Sequence, residues 1–182
     1  MNTSVNRLIC DELRYDRRKL TVEHADYMQK LTDEQKIVYE KIMVAVNSGE
    51  GGVFFVYGYG GTGKNFVWKT LATGIRSKGQ IVLMVASSEI ASLLLPGGRT
   101  AHLRFTIFLN LDEFSTCNIK QNNPLAELII RAKLIIWDKA PMVNGLCIEA
   151  VDRTMRDILR FKNVHSLHQP FRGKTVIFCG DF

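Results

Sequence analysis

The chain has 182 residues, of which 46% are hydrophobic and 23% charged, and its formal net charge is +6. This length suffices for one well-cored domain and is too short for two of ordinary size. The composition excludes a disordered or low-complexity protein, because it contains neither a Pro/Gly/Ser-rich linker nor an internal repeat.

Residues 1–30 form a polar segment of mixed charge. Its first twenty residues contain three acids, Asp11, Glu12 and Asp16, and a transit peptide avoids acidic residues. No apolar run in the chain approaches the ~20 residues that a spanning helix needs. We therefore expect a soluble, unprocessed chain and interpret residues 1–30 as an N-terminal helical extension. A helix begun by Thr32 is predicted over residues 33–46.

A Gly-rich loop follows the first predicted strand, the apolar run at residues 53–58. The stretch GYGGTGKNF, Gly58 to Phe66, almost completes the pattern G-x-x-x-x-G-K-[ST]. In that pattern backbone N–H groups close around phosphates, the Lys reaches the terminal phosphates and the final hydroxyl holds magnesium. Here the final position is Asn65. Because a helix is predicted at residues 64–76, the loop has the strand–loop–helix setting of a phosphate-binding site.

The next segment carries an excess of positive charge. Residues 64–111 hold six basic residues against one acidic residue, Glu89. They include a predicted buried strand at residues 81–87 and a short predicted helix at residues 89–95. A solvated basic face and a contact surface for a polyanion explain this charge equally well, so both interpretations stay open.

The rest of the chain continues the alternation of helices and strands. Helices are predicted at residues 124–132, with Pro124 in the first turn, and at residues 142–160. Strands are predicted at residues 134–138 and 175–181. All four predicted strands are near-continuous apolar runs, as in parallel sheets covered on both faces. The sequence therefore predicts an α/β fold with three layers, a mainly parallel sheet and right-handed crossovers.

The predicted strand LIIWD ends in an acid, Asp138. A carboxylate here, opposite the hydroxyl position of the loop, would hold magnesium through water. In hydrolysing proteins of this architecture a Glu usually follows and orients the attacking water. In this chain Lys139 follows, a cation at neutral pH that cannot accept a proton. We therefore expect nucleotide binding to be better preserved than hydrolysis.

Five motifs, in this order and spacing, resemble the first motor domain of the PIF-type (petite integration frequency) DNA helicases of superfamily one, especially their plant transposon-associated branch. They are LTDEQ, GYGGTGK, ASSEIASLLLPGGRTAHLRF, LIIWDKAPM and GKTVIFCGDF. The resemblance covers nearly the whole chain. It implies a P-loop NTPase (RecA-like) motor domain at residues 31–182 of an ATP-dependent DNA helicase. ATP and Mg²⁺ would be its cofactors, single-stranded DNA its partner, and DNA damage repair and recombination its roles.

The resemblance also implies roles for individual residues. Gln35 would read adenine, and Asp181 would belong to a nucleotide-sensing motif. The phosphates would lie against Gly58, Gly60, Gly61, Thr62, Gly63, Lys64 and Asn65. Magnesium would be held by Asp138 and the Asn65 position, while Lys64, Asp138 and Lys139 occupy the catalytic positions. Single-stranded DNA would run along Ser87, Ser88, Thr100, His102 and Arg104.

Four positions depart from the family's usual pattern. The family normally has Thr at Asn65, Glu at Lys139, Gly at Glu89 and Ser at Leu103. Beyond the GDF motif it has a Gln that senses the terminal phosphate, a further core strand and a second motor domain, none of which lies within this sequence. We therefore expect a motor domain truncated after its fourth core strand, with VFFVY as an apolar sheet edge. Such a chain would be catalytically impaired and unable to unwind DNA alone. A partner protein could supply the missing second motor domain.

Three functions stay open. The first is an ATP-dependent DNA helicase, of which this chain is the first motor domain. The second is a nucleotide-binding remnant, or pseudoenzyme, that does not hydrolyse ATP. The third is a small-molecule phosphotransferase that shares only the phosphate loop. The sequence shows no segment for the acceptor pocket and lid that this third function needs. The stretches ASS at residues 86–88 and RTAH at residues 99–102 favour a nucleic-acid motor instead.

The cysteines indicate a reducing, intracellular compartment. They are far apart and form no C-x-x-C pair: Cys10, Cys117, Cys147 and Cys179. Free thiols are therefore expected rather than a disulfide framework or a zinc site. The family resemblance implies the nucleus, with the mitochondrion as the alternative.

Overall fold

The computed structural model describes residues 5–162 and 164–181. The helices are α1 (Arg7–Glu12), α2 (Arg17–Lys30), α3 (Asp33–Ser48), α4 (Lys64–Ser77), α5 (Glu89–Leu93), α6 (Ala101–Phe105), α7 (Pro124–Arg131) and α8 (Gly145–Ile158). The strands are β1 (Gly52–Gly58), β2 (Ile81–Ala86), β3 (Arg99–Thr100), β4 (Ala132–Asp138) and β5 (Thr175–Asp181). No helix in these residues is long and apolar enough to cross a membrane.

The strands form one five-stranded sheet in the order β1–β5–β4–β2–β3, and every neighbouring pair is parallel. This confirms the predicted α/β fold with a parallel sheet. The carboxyl ends of parallel strands meet at one edge, where β1 leads into the Gly-rich loop and β4 ends at Asp138. The topology therefore places the predicted phosphate loop and the predicted magnesium ligand on the same side of the molecule.

Alternate side chains of each central strand face opposite layers. In β2, Ile81, Leu83 and Val85 pack with α6, α7 and α8, whereas Val82, Met84 and Ala86 pack with α3, α4 and α5. Because both faces of β2 are fully buried, the strand reads as a continuous apolar run rather than an alternating one. Helix α2 packs along α4 rather than against the sheet.

Polar caps fix where the N-terminal helices begin. The side chains of Asn6 and Asp16 accept backbone N–H bonds at the starts of α1 and α2. Thr32 and Gln35 form a capping box at the start of α3, as the predicted helix start at Thr32 requires. Residues 7–30 are thus largely helical, while the assignment of residues 1–30 as a separate N-terminal extension stays a prediction.

The structure also contains elements that the sequence did not predict. Strand β3 has two residues and pairs with Val85 and Ala86, and α6 follows it directly. Helix α8 begins at Gly145 rather than residue 142, because Pro141 lies in a 3-10 turn and Asn144 caps the helix. Strand β1 is an edge strand of the described sheet, as expected for VFFVY.

Candidate nucleotide site

The loop between β1 and α4 has the backbone of a phosphate cradle. Gly61 and Gly63 adopt left-handed conformations, with φ of 83° and 75°, which turn the chain sharply into the first residue of α4. The N-terminus of α4, with its free N–H groups and positive dipole end, therefore faces the loop. Lys64 Nζ donates to the carbonyls of Gly58 (2.8 Å) and Tyr59 (3.0 Å), so its ammonium lies within the loop.

Two further side chains brace the loop. Thr62 Oγ1 donates to the carbonyl of Tyr59 at 2.9 Å, and Gln35 Nε2 donates to the carbonyl of Thr62 at 3.3 Å. Gln35 Oε1 also accepts from the backbone N–H of Thr32. The structure thus places Gln35 against the phosphate loop, while its reading of adenine stays a prediction.

A cavity of about 370 Å³ joins the loop to the end of β4. Ala91 and Leu94 of the α5 region form part of its lining. The rest consists of predicted nucleotide-site residues: Gly60, Gly61, Thr62, Gly63, Lys64, Asn65, Asp138 and Lys139. Residues 74 positions apart, Lys64 and Asp138, therefore meet in one site. Its volume lies in the lower part of the range for small-ligand pockets.

The carboxylate of Asp138 is held by a residue that sequence analysis did not assign to the site. Asp138 is 7% exposed, and its Oδ1 accepts a hydrogen bond from Cys179 Sγ at 3.2 Å. Burial, and then the charge of Asp138, raise the pKa of the Cys179 thiol, so it stays protonated and can donate. The register of β4 and β5 is the signal that could have indicated this contact. Trp137 pairs with Phe178, so the next residues, Asp138 and Cys179, lie side by side.

The two departures from the motif line the same cavity. Lys139 has a left-handed backbone, with φ of 56°, and its carbonyl accepts from the N–H of Met142 in the following 3-10 turn. Asn65 is exposed at the second residue of α4. Asn65 and Asp138 offer an amide oxygen and a carboxylate, which are hard oxygen ligands that suit magnesium bound to nucleotide phosphates. The residues present therefore fit Mg²⁺, although the amide lacks the geometry of a hydroxyl.

Asp181 is described only through its backbone. It lies in register with Gly58 of β1, so its main chain is next to the start of the phosphate loop. Its side chain lies outside the described part of the structure, and its sensing role stays a prediction.

The hydroxyls predicted to face DNA make hydrogen bonds within the domain. Ser87 Oγ accepts from Trp137 Nε1 at 3.1 Å. Ser88 caps α5 and Thr100 caps α6 through their side-chain oxygens. His102 is half-buried, with Nε2 3.9 Å from Cys147 Sγ. The four residues lie near the carboxyl edge of the sheet, and their contact with DNA stays a prediction.

Arg104 is the predicted DNA residue that the structure places furthest from solvent. It is 5% exposed, and its Nη2 donates to Glu12 Oε1 at 3.1 Å. Arg76 of α4 is also buried, with Nη2 3.9 Å from Glu12 Oε2, and its guanidinium lies over the ring of Tyr15. Arg104 therefore joins α6 to the N-terminal helices, and its burial counts against a direct contact with a strand. Sequence analysis missed this cluster because Glu12 is 92 positions away.

Large apolar side chains are exposed beside the predicted DNA path. They are Ile90, Leu93 and Leu94 of the α5 region and Leu103 of α6. Leu103, where the family normally has Ser, is 73% exposed. The positive charge of this face is therefore less concentrated than the number of basic residues at 64–111 suggests.

Comparisons with known proteins give a consistent family. A family model described as PIF1-like helicase matches residues 30–182. The ATP-dependent DNA helicase PIF4 of Trypanosoma brucei is 28% identical over 137 residues, which cover 73% of this chain and 16% of the relative. The ATP-dependent DNA helicase PIF1 of Candida albicans is 26% identical over 155 residues, covering 84% of this chain and 16% of the relative.

Solved structures agree with the sequence relatives. The Pif1 helicase of Candida albicans has a TM-score of 0.66 and 26% identity, covering 84% of this chain and 32% of that one. The Bacteroides Pif1 helicase in complex with ADP-AlF3 and single-stranded DNA has a TM-score of 0.61 and 30% identity, covering 83% and 32%. The chain thus spans about a sixth of the length of the curated relatives and a third of the solved ones.

Proposed function

Because this chain belongs to the PIF1-like helicase family, we propose that it is an ATP-binding motor domain of an ATP-dependent DNA helicase. The observation that carries this proposal is the cavity in which Lys64, at the start of α4, meets Asp138, at the end of β4. A glycine cradle at a helix N-terminus, one ammonium and one carboxylate are the groups that a magnesium nucleotide requires.

Each group has a task that follows from its position. The backbone N–H groups of residues 60–64 would bind the phosphates, and Gln35 holds the loop in shape through Thr62. Lys64 would leave the loop carbonyls for the terminal phosphates, whose negative charge makes its hydrogen bonds to them stronger. Asp138 and Asn65 would hold Mg²⁺, which supplies charge neutralisation on the phosphates.

The second candidate is a domain that binds nucleotide without hydrolysing it. Lys139 lies next to Asp138, where a water-orienting carboxylate is expected, and a lysine ammonium has no acceptor for a proton. Its positive charge in the cavity would still favour phosphate binding. The cavity therefore supports binding more directly than it supports turnover.

Calorimetry with ATP and magnesium tests the binding site. We expect saturable binding to the parent chain and at least a tenfold loss in Lys64→Ala, since the ammonium would make charge-assisted contacts to the phosphates. Lys36→Ala is the matched control, because Lys36 is exposed and its loss changes the net charge equally. Equal binding by Lys64→Ala and the parent would show that the assigned site is wrong.

An ATPase assay with and without single-stranded DNA separates the two candidates. Turnover that DNA stimulates supports a working motor domain. Binding of ATP with turnover near background supports the non-hydrolysing candidate. Absence of nucleotide binding would contradict both.

We also propose weak, sequence-independent binding of single-stranded DNA. The Bacteroides relative was solved with single-stranded DNA. Four of the six basic residues at 64–111 are at least partly exposed in this chain: Lys64, Lys69, Lys78 and Arg99. Phosphate contacts of this kind weaken steeply with salt. Fluorescence anisotropy across a salt series tests the proposal, and binding that ignores salt or prefers one sequence would contradict it. Arg104→Ala is unsuitable as a probe, because it would disrupt the buried cluster with Glu12.

The cellular role follows from the sequence motifs rather than from the site. The motifs support the proposal that the protein acts in DNA repair and recombination, in the nucleus or alternatively the mitochondrion, and that it belongs to the plant transposon-associated branch. Fractionation of cells that express a tagged chain tests the location.

A further inference from the structure

A second cavity lies at the amino ends of β1, β4 and β5, at the opposite edge of the sheet from the phosphate loop. Its volume is about 310 Å³. Four basic residues and no acidic residue line it, and we call it the basic cavity: Arg131, Lys133, Lys162 and Lys174. None of these residues belongs to the nucleotide site described above.

Lys174 has a structural role that accounts for its own position. It is 9% exposed, and its Nζ donates to the carbonyls of Ile130 (2.9 Å) and Ala132 (2.7 Å). These carbonyls end α7, where a cation is favourable. This role uses two of the three N–H donors of the Lys174 ammonium. It explains why one of the four basic residues lies at the cavity.

The other cations are not explained by internal pairing. Arg131 Nε lies 3.9 Å from Glu127 in an exposed pair. Lys133 and Lys162 are exposed and have no acidic partner among the described residues. Lys133 and Lys162 are therefore available to a ligand at the mouth of the cavity, while Lys174 lies at its base.

The electrostatics of the cavity favour an anion. Burial, and then the charge of Lys133, lower the pKa of Lys174 to about 8. The positive charges thus repel one another in a partly desolvated space. A bound anion would relieve this repulsion and stabilise the charged form of Lys174.

Glycine backbone forms another part of the wall. Gly51 and Gly173 both have left-handed φ, of 75° and 76°. A Cβ built on Gly51 would collide with the carbonyl of Gly173, so a glycine at position 51 is what lets the two segments approach this closely. Closely packed main chain of these two residues therefore lines the cavity together with its basic side chains.

We propose that the basic cavity binds the phosphate groups of a polyanion, at a site separate from the phosphate loop. Its volume, at the small end of ligand pockets, suits a few phosphate groups. Two sources share this chemistry: the backbone of a nucleic acid strand and a free oligophosphate. The proposal does not depend on ATP hydrolysis or on the DNA face near α6.

NMR titration of the amide signals tests the proposal in a Lys64→Ala chain, which weakens the phosphate loop as a competing site. The probes are tripolyphosphate and a short oligothymidine. We expect saturable shifts at Gly49, Gly51 and Gly173. Lys133→Glu with Lys162→Glu should weaken this binding by at least about tenfold, because two attractive charges become repulsive.

The control is Lys19→Glu with Lys120→Glu, which changes the net charge equally at exposed positions outside the cavity. Retained shifts in this control, together with loss in the cavity variant, support the proposal. Shifts with both probes identify a nucleic acid strand as a competent source, and shifts with tripolyphosphate alone identify a free oligophosphate. Equal losses in both double variants, or an absence of shifts at the three glycines, would overturn it. Lys174 is left intact because its removal would take a hydrogen-bond donor from the carbonyls of Ile130 and Ala132.

Discussion

Cys179 donates a hydrogen bond from its thiol to Asp138 Oδ1, across 3.2 Å between neighbouring strands of the sheet. Both residues are buried, so solvent does not compete for the contact. The carboxylate predicted to hold magnesium is thus oriented by a residue from β5. A partner that orients a metal-binding carboxylate typically changes metal affinity when removed.

The first prediction concerns this contact. Cys179→Ala should weaken magnesium-dependent ATP binding by about tenfold, because Asp138 loses its donor, whereas Cys179→Ser keeps a donor and should have a smaller effect. Calorimetry at several magnesium concentrations measures the change. Cys147→Ala is the control, since Cys147 is also buried but contacts His102. An equal loss in both alanine variants would indicate general destabilisation.

The second prediction concerns the buried charge cluster of α1, α4 and α6. Glu12→Gln should lower the free energy of unfolding by about 3 kcal/mol, because Arg76 and Arg104 would keep buried charges without a carboxylate. Denaturant unfolding measures the loss. Glu113→Gln, at an exposed position, should change stability by less than about 0.5 kcal/mol. A loss that small for Glu12→Gln would show that the cluster does not hold the N-terminal helices in place.

The third prediction concerns hydrolysis. The parent chain should turn over ATP near background, because Lys139 replaces the expected carboxylate. Asn65→Thr with Lys139→Glu should raise turnover by about tenfold to 100-fold, which is only part of what a positioned base supplies. A phosphate-release assay measures this, with Lys64→Ala added to the double variant as the inactive control. Rapid turnover by the parent would require a different base.

The main strands were predictable because burial on both faces produces continuous apolar runs, as in β2 and β4. Strand β3 was not predictable from the sequence, since its two residues, Arg99 and Thr100, carry no apolar pattern. They form a strand through their pairing with Val85 and Ala86 of β2. The phosphate loop was predictable because its chemistry is local in sequence. Long-range contacts that depend on packing, such as Cys179 with Asp138, leave no comparable pattern.

The burial of Arg104 illustrates a second limit. Charged residues are rarely buried unless they are paired, so a basic residue in a polar segment is ordinarily assigned to the surface. Here the partner, Glu12, lies in an N-terminal helix outside the region that the family model matches. Neither the local pattern nor the family motif could have indicated the pair.

The fourth prediction concerns pH. Burial, and then the charge of Lys78, lower the pKa of His24, whose Nε2 lies 2.8 Å from the hydroxyl of Tyr39. The folded state therefore binds a proton less readily than the unfolded state, whose His24 pKa is 6.5. The stability contributed by neutral His24 should be complete above pH 6.5 and be lost as the pH falls toward the lowered value.

Unfolding free energies measured between about pH 8 and pH 5 test this linkage. His24→Gln cannot take up the proton, and its stability should fall less steeply with acid than that of the parent. Identical slopes for the two proteins would contradict the assignment to His24.

The last prediction concerns the free edge of β1. In the described sheet only β5 pairs with β1, and Phe55 and Tyr57, stacked with their ring centroids 6.3 Å apart, are more than half exposed beside it. An unpaired apolar strand is a template for association with other chains. We expect the chain to self-associate with rising concentration, and Phe55→Lys to reduce this, because a charged lysine on an edge strand disfavours strand addition. Phe114→Lys, equally charged and 79% exposed at a loop far in sequence from β1, is the control. Light scattering over a concentration series would show the difference; a parent chain that stays monomeric throughout, or equal reductions in the two variants, would mean that the β1 edge does not drive association.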